Sequence, residues 1–184
     1  MRRLVVMRAS SCAVALCLVL GAPGFLSIPA YAAKCASASV GGASIGTITA
    51  GGVSVPIKPV TYKPGGTLRP PDTAKAVGVS TVNTPLDADE GTTVMAWHVR
   101  YGKGCPGTLN TLLDLPIGAN FTVQANGSSA REYQITERFE VPRGKYKRKW
   151  FTPVGPHRLA LFTCGDLRYE KFHSTIAVFA EPVE

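Results

Sequence analysis

The sequence predicts an all-β domain, and three observations carry that prediction. Short runs rich in Val, Ile, Thr and aromatic residues recur from residue 53 onward. Clusters of Gly, Pro, Asn and Ser separate them, and only one segment has apolar residues at helical spacing. Six or more short strands with one small helix suggest a barrel or a sandwich. The length of 184 residues suits one domain with a sizeable core, and no internal repeat divides it.

Taken in order, residues 1–32 read as a secretion signal. Arg2, Arg3 and Arg8 form a basic start, Cys12 to Leu20 an apolar centre, and Ala30, Tyr31 and Ala32 a cleavage site. An uncleaved membrane anchor is the alternative; Gly21, Pro23 and Gly24 interrupt the apolar run and favour cleavage. Residues 33–52 are small and glycine-rich, which predicts a flexible lead-in. The barrel domain is then expected over 53–184. Its strand candidates are VSVPIKPV (53–60), TTVMAWHVR (92–100), NFTVQ (120–124), REYQITERFEV (131–141), HRLALFTC (157–164) and TIAVFAE (175–181). NGSS at 126–129 reads as a hairpin turn. TLNTLLDL at 108–115 is the helical segment, with Gly118 soon after.

Removing the signal takes three of the 20 basic residues and none of the 12 acidic ones, so the excess falls from +8 to 17 − 12 = +5. That balance suits an anionic cell wall and does not argue for nucleic acid. KYKRKW at 145–150 is a basic run with interleaved aromatics. It reads as a solvated loop or as a wall or substrate contact, since a nucleic-acid reading needs stacking platforms and a larger charge excess.

The chemistry centres on HRLALFTCGD, where Cys164 stands at the predicted end of a strand. His98 holds the equivalent position after TTVMAW. Two such side chains can converge across a barrel mouth, and a cysteine needs a histidine or a cation beside it to react as thiolate. His157 and His173 complete the histidines. No His or Cys pair has metal-ligand spacing, so no metal is expected.

These residues resemble the sortases, the cysteine transpeptidases of the Gram-positive cell surface, and among them the class F enzymes of actinobacteria. The family's Thr-Leu-x-Thr-Cys signature is matched at four of five positions by Ala160, Leu161, Phe162, Thr163 and Cys164, with Gly165 following as in class F. The Gly-His motif is matched by Trp97 and His98, after Gly91, Thr92, Val94 and Ala96. Upstream, VSVPIKPV, Gly66, Leu68 and Pro70-Pro71-Asp72 resemble the opening strand and loop, and IAVFA at 176–180 the closing strand. The resemblance implies an eight-stranded sortase-type barrel with one or two short helices.

It also implies a mechanism that requires no cofactor. Cys164 would attack an LPxTG-like sorting signal of a surface protein, with His98 as acid and base, and the acyl group would pass to an amine such as that of a peptidoglycan precursor, or to water. Thr163 and Trp97 would border the substrate. Trp97 departs from the usual glycine and is expected to cap the mouth or narrow a pocket. The larger departure is the arginine, which sortases carry after the cysteine loop and which FHSTIAVF lacks. Arg168 is the first candidate for its role, Arg158 the second, and His173 a possible substitute for it. The rival function is a secreted, non-catalytic barrel that binds wall polymer or protein. Of the three mature cysteines, Cys35 and Cys105 lie in loop-like sequence and are expected to form a disulfide, leaving Cys164 as a free thiol. The implied location is extracellular or cell-wall associated, with membrane contact only through an uncleaved N-terminus.

Overall fold

The computed structural model describes Cys35, residues 42–102 and residues 104–184. The predicted signal at 1–32 lies outside the described residues. Ten strands follow in chain order: β1 (Gly46–Ala50), β2 (Val53–Val60), β3 (Val77–Ser80), β4 (Thr92–Ala96), β5 (Arg100–Tyr101), β6 (Cys105–Pro106), β7 (Asn120–Ala125), β8 (Arg131–Pro142), β9 (Arg158–Arg168) and β10 (Lys171–Pro182). A 3-10 turn at Thr108–Asn110 leads into the one-turn helix α1 (Thr111–Asp114), and a second 3-10 turn, Arg148–Phe151, lies between β8 and β9. Eight strands close a barrel in the order β1-β2-β3-β4-β9-β10-β8-β7, while β5 and β6 pair separately. The eight-stranded closure expected from the resemblance is present. Among the described residues no helix is long and apolar enough to cross a membrane.

The barrel starts earlier than the composition suggested. Residues 46–50, assigned to the flexible lead-in, are β1, which pairs with β2 and β7 and turns Ile48 and Ala50 inward. The glycines that suggested flexibility instead make the turn: Gly51 and Gly52, at φ 57° and 76°, form the two-residue link between β1 and β2. A second difference concerns β9. The strand does not end at Cys164 but runs four residues further and returns through Tyr169 and Glu170 as the hairpin partner of β10.

Period-2 alternation sorts the side chains of this wall into two faces. Met95, Trp97, Leu159, Leu161 and Val178 point into the barrel, whereas Val94, Ala96, Ala160, Phe162, Ala177 and Phe179 point outward. The outward set is still buried, because the connection over residues 143–157 folds across it. Trp150 is buried and its ring lies 6.2 Å from that of Phe162, while Phe151 stacks on Phe162 at 5.5 Å. In KYKRKW the aromatics therefore anchor the segment to the wall and the cations face solvent.

His157, the second of the three histidines, is a core residue. It is buried, with Nε2 3.0 Å from the Tyr133 hydroxyl.

Leu161 is fully buried at the centre of the barrel. Leu161→Ala is expected to lower unfolding stability by about 2–5 kcal/mol, read from urea denaturation, because the closed barrel cannot collapse onto the cavity.

Candidate active site

β4 and β9 run parallel, paired from Thr92↔Arg158 to Ala96↔Phe162. The ladder extends one step beyond β4, where the Trp97 N–H donates to the Phe162 carbonyl at 3.1 Å, and the Thr163 hydroxyl donates to the Trp97 carbonyl at 2.9 Å. The same register carries His98, just past the end of β4, alongside Cys164 on β9, neighbouring strands lying roughly 5 Å apart in a sheet. Both residues line one cleft of about 360 Å³. The structure thus brings the cysteine and histidine together, but on the outer face of the wall rather than across the barrel mouth. Parity decides this: Cys164 follows Ala160 and Phe162, and His98 follows Val94 and Ala96.

Three segments wall the cleft. The β2–β3 connection supplies Lys63, Leu68, Arg69, Pro70 and Asp72; the sheet supplies Ala96, Phe162 and Thr175; the β8–β9 connection supplies Arg143 and Tyr146. Arg69 grips Asp72 through both carboxylate oxygens, at 2.7 and 2.8 Å.

The backbone around His98 is clamped from both sides. The Asn110 side chain accepts from the Trp97 indole N–H at 3.1 Å and donates to the Val99 carbonyl at 2.8 Å, so one residue fixes both neighbours of the histidine. Gly107 donates its N–H to the Val99 carbonyl, and a Cβ there would fall 1.8 Å from the His98 carbonyl oxygen. Only glycine fits so close an approach. The Tyr101 ring packs 5.1 Å from the imidazole. Cys105, in the strand paired with Tyr101, is bonded to Cys35, as expected, and Cys164 is free. Closing a loop with a sequence separation of 70 residues stabilises by about 4 kcal/mol on a chain-entropy argument.

Trp97 borders the cleft, yet its ring is packed in the barrel interior at 2 % exposure. It therefore does not cap the mouth. Thr163 is also buried, and its hydroxyl is engaged by the Trp97 carbonyl, so it braces the pair of strands.

The arginine that lines the cysteine cleft is not one to which the sequence directed attention. Arg168 sits near the hairpin tip with its side chain 68 % exposed, pairs with Asp166 at 2.6 Å, and lines a separate depression with Glu140 and His173. Arg158 is at the opposite end of β9, six residues and roughly 20 Å from Cys164, bonded to Thr92 and the Lys149 carbonyl. Neither lines the cysteine cleft. Arg143 does. Thr175 pairs with Cys164 on one side and Val141 on the other, and Arg143 is two residues past Val141, its N–H donating to the His173 carbonyl at 2.9 Å.

Charge and burial oppose each other at the sulfur. Burial pushes the Cys164 thiol above its usual pKa, and the positive charge of Arg143 pulls it back. Burial pushes the His98 imidazole below its usual value, opposed by the Asp72 carboxylate and a hydrogen bond with the Pro71 carbonyl; Arg69 lowers it further. Both burial effects favour the neutral thiol and neutral imidazole. Among the described residues no cluster of His, Cys, Asp and Glu could hold a metal ion.

With the geometry in place, comparison with known proteins identifies the fold. No protein-family model matches the chain, and no curated protein matches its sequence. Solved structures do. Sortase C-1 from Actinomyces oris superposes with a TM-score of 0.60 at 19 % identity, covering 85 % of this chain and 82 % of that one. Sortase C1 of Streptococcus agalactiae, in a complex with MTSET, gives 0.59 at 16 % identity over 77 % of this chain and 68 % of that one. A pilus-related sortase C of Group B Streptococcus gives 0.58 at 18 %, with the same coverage of 77 % and 68 %. The chain has the sortase fold.

Two outcomes test this geometry. The raised thiol pKa means that alkylation of Cys164 by iodoacetamide accelerates as pH rises through it. Removing the Arg143 charge removes the influence that lowers it, so Arg143→Ala is expected to move that profile to higher pH, and Arg168→Ala to leave it in place. Asn110→Ala is expected to release both flanks of His98 and cost about 1–3 kcal/mol through the unpaired indole N–H and carbonyl, measured by denaturant unfolding.

Proposed function

We propose that this protein is a sortase-like cysteine transpeptidase. The observation that carries the proposal is a free cysteine, a histidine and an arginine lining one cleft on the outer wall of a sortase-fold barrel. In this mechanism the Cys164 thiol passes its proton to the neutral His98 imidazole, and the resulting thiolate attacks the carbonyl carbon of the Thr–Gly bond of an LPxTG-like signal. A tetrahedral intermediate forms, His98 donates a proton to the leaving glycine amine, and a thioester remains on Cys164. An amine, such as that of a peptidoglycan precursor, or water then attacks the thioester. His98 accepts the proton from this nucleophile, and the thiolate leaves.

Arg143 takes the role first assigned to Arg168. Its guanidinium is always charged and presents several donors, so it can bind the developing oxyanion while lowering the thiol pKa. The Thr163-Cys164-Gly165 run supports a class F assignment, and the signal read at residues 1–32 supports export to the cell wall of a Gram-positive bacterium. No cofactor enters any step.

The test uses the purified protein with a fluorogenic peptide containing Leu-Pro-Ala-Thr-Gly. Cleavage with an acyl adduct on Cys164, seen by intact mass, is the expected result, and Cys164→Ala should form none. Arg143→Ala is expected to slow acylation by a factor on the order of 10² to 10³, the effect of losing one oxyanion donor, with Arg168→Ala near the parent rate. The reverse order for the two arginines would return the role to Arg168.

A further inference from the structure

The cleft around Cys164 has more charge than the proposed chemistry uses. Of its lining residues, Lys63, Arg69 and Arg143 are cationic and Asp72 alone is anionic, a net 3 − 1 = +2 with the imidazole neutral. Asp72 is committed to Arg69. Lys63 and Arg143 form no ion pair among the described residues, and they come from different walls, one on the β2–β3 connection and one on the β8–β9 connection. Beyond Arg143 the exposed side chains of Lys145, Lys147, Arg148 and Lys149 continue the positive potential, with no carboxylate between residues 142 and 149.

Two acids of the adjoining strands lie outside this cleft. Glu140 is hydrogen-bonded to the Ser174 hydroxyl and Asp166 is paired with Arg168, and both line the other depression. The cleft itself is not simply polar: Leu68, Ala96, Tyr146 and Phe162 also line it. An apolar lining with cations from two different connections matches an extended peptide that places an apolar residue among these side chains and a carboxylate beside Lys63 or Arg143. A lysine in the same register would meet like charge.

We propose that the cleft selects acyl-donor peptides that carry an acidic side chain at or beside the residue preceding the scissile threonine, with Lys63 as a specificity-determining contact. The inference rests on the transpeptidase reading and adds the chemical class of its substrate.

The experiment measures kcat/KM and Cys164 acylation for peptides Ala-Ala-Leu-Pro-X-Thr-Gly-Ala. X and, in separate series, the residue on either side of the Leu-Pro-X-Thr-Gly core are set to Glu, Gln or Lys. In at least one series Glu is expected to exceed Gln by roughly 3- to 10-fold and Lys by more at low ionic strength, the range open to partly exposed charge pairs. The ratio should narrow at about 0.5 M salt. Lys63→Ala is expected to bring the Glu to Gln ratio close to one, and Lys63→Glu to favour the Lys peptide. If Lys63→Glu does not fold, the Lys63→Ala ratio decides. Equal kcat/KM for Glu, Gln and Lys in every series, with Cys164 acylated, would overturn this inference and leave the transpeptidase reading standing. Equal rates together with inhibition by inorganic polyphosphate would assign the cations to an anionic polymer instead. Acylation by none of the peptides would overturn both.

Discussion

Five residue pairs, from Thr92↔Arg158 to Ala96↔Phe162, hold β4 and β9 parallel at the centre of the barrel wall. The cleft depends on this contact in a way that no local interaction could replace. His98 and Cys164 are 66 residues apart in sequence, and each follows the last paired residue of its strand by two. Equal offsets in a parallel pair place them level and on the same face. A one-residue slip of either strand would turn one of the two into the barrel interior. The bracing by Thr163, whose hydroxyl holds the Trp97 carbonyl, opposes that slip at the point where the ladder ends.

Because the pair is on the outer face, something other than the barrel must cover it. Aromatic residues do this on one side: Trp150 and Phe151 lie against Phe162 and Phe179, and hold the basic connection over the wall. On the other side the Arg69–Asp72 pair and Pro71 enclose the imidazole. The result is a half-buried cysteine and histidine whose desolvation favours their neutral forms, with one cation near the sulfur to favour the thiolate.

The region after His98 shows how a loop becomes a rigid positioning element. It contains no long strand or helix, yet Asn110 binds both flanking residues, Gly107 allows a backbone approach no other residue permits, and the Cys35–Cys105 bridge ties down the strand beside Tyr101. The residues flanking the histidine are thus held by the two side-chain bonds of Asn110, a backbone bond from Gly107 and one covalent link, where an ordinary loop would leave them mobile.

The all-β class, the turn at 126–129 and the helical turn near 111 were legible in the sequence because they depend on short-range patterns, and Cys164 and His98 stood out there as candidates that the structure places in one cleft. Alternation, turn chemistry and a compact motif survive without neighbours. β1 was misread because its glycines were counted as composition, when the Gly51-Gly52 pair between two alternating runs is itself a hairpin signal. Arg143 was out of reach for a different reason. Ile135 points inward and Phe139 outward although both are odd-numbered, because the register between β8 and β10 shifts at Phe179/Ala180. A bulge re-phases every residue after it, and only the order β9-β10-β8 brings the end of that strand across from the cysteine. The sequence by itself determined which side chains have reactive chemistry and which local elements hold them. The tertiary structure decided the face they occupy and the cation that joins them, since strand order, register and a bulge are set by long-range pairing that leaves no mark in local spacing.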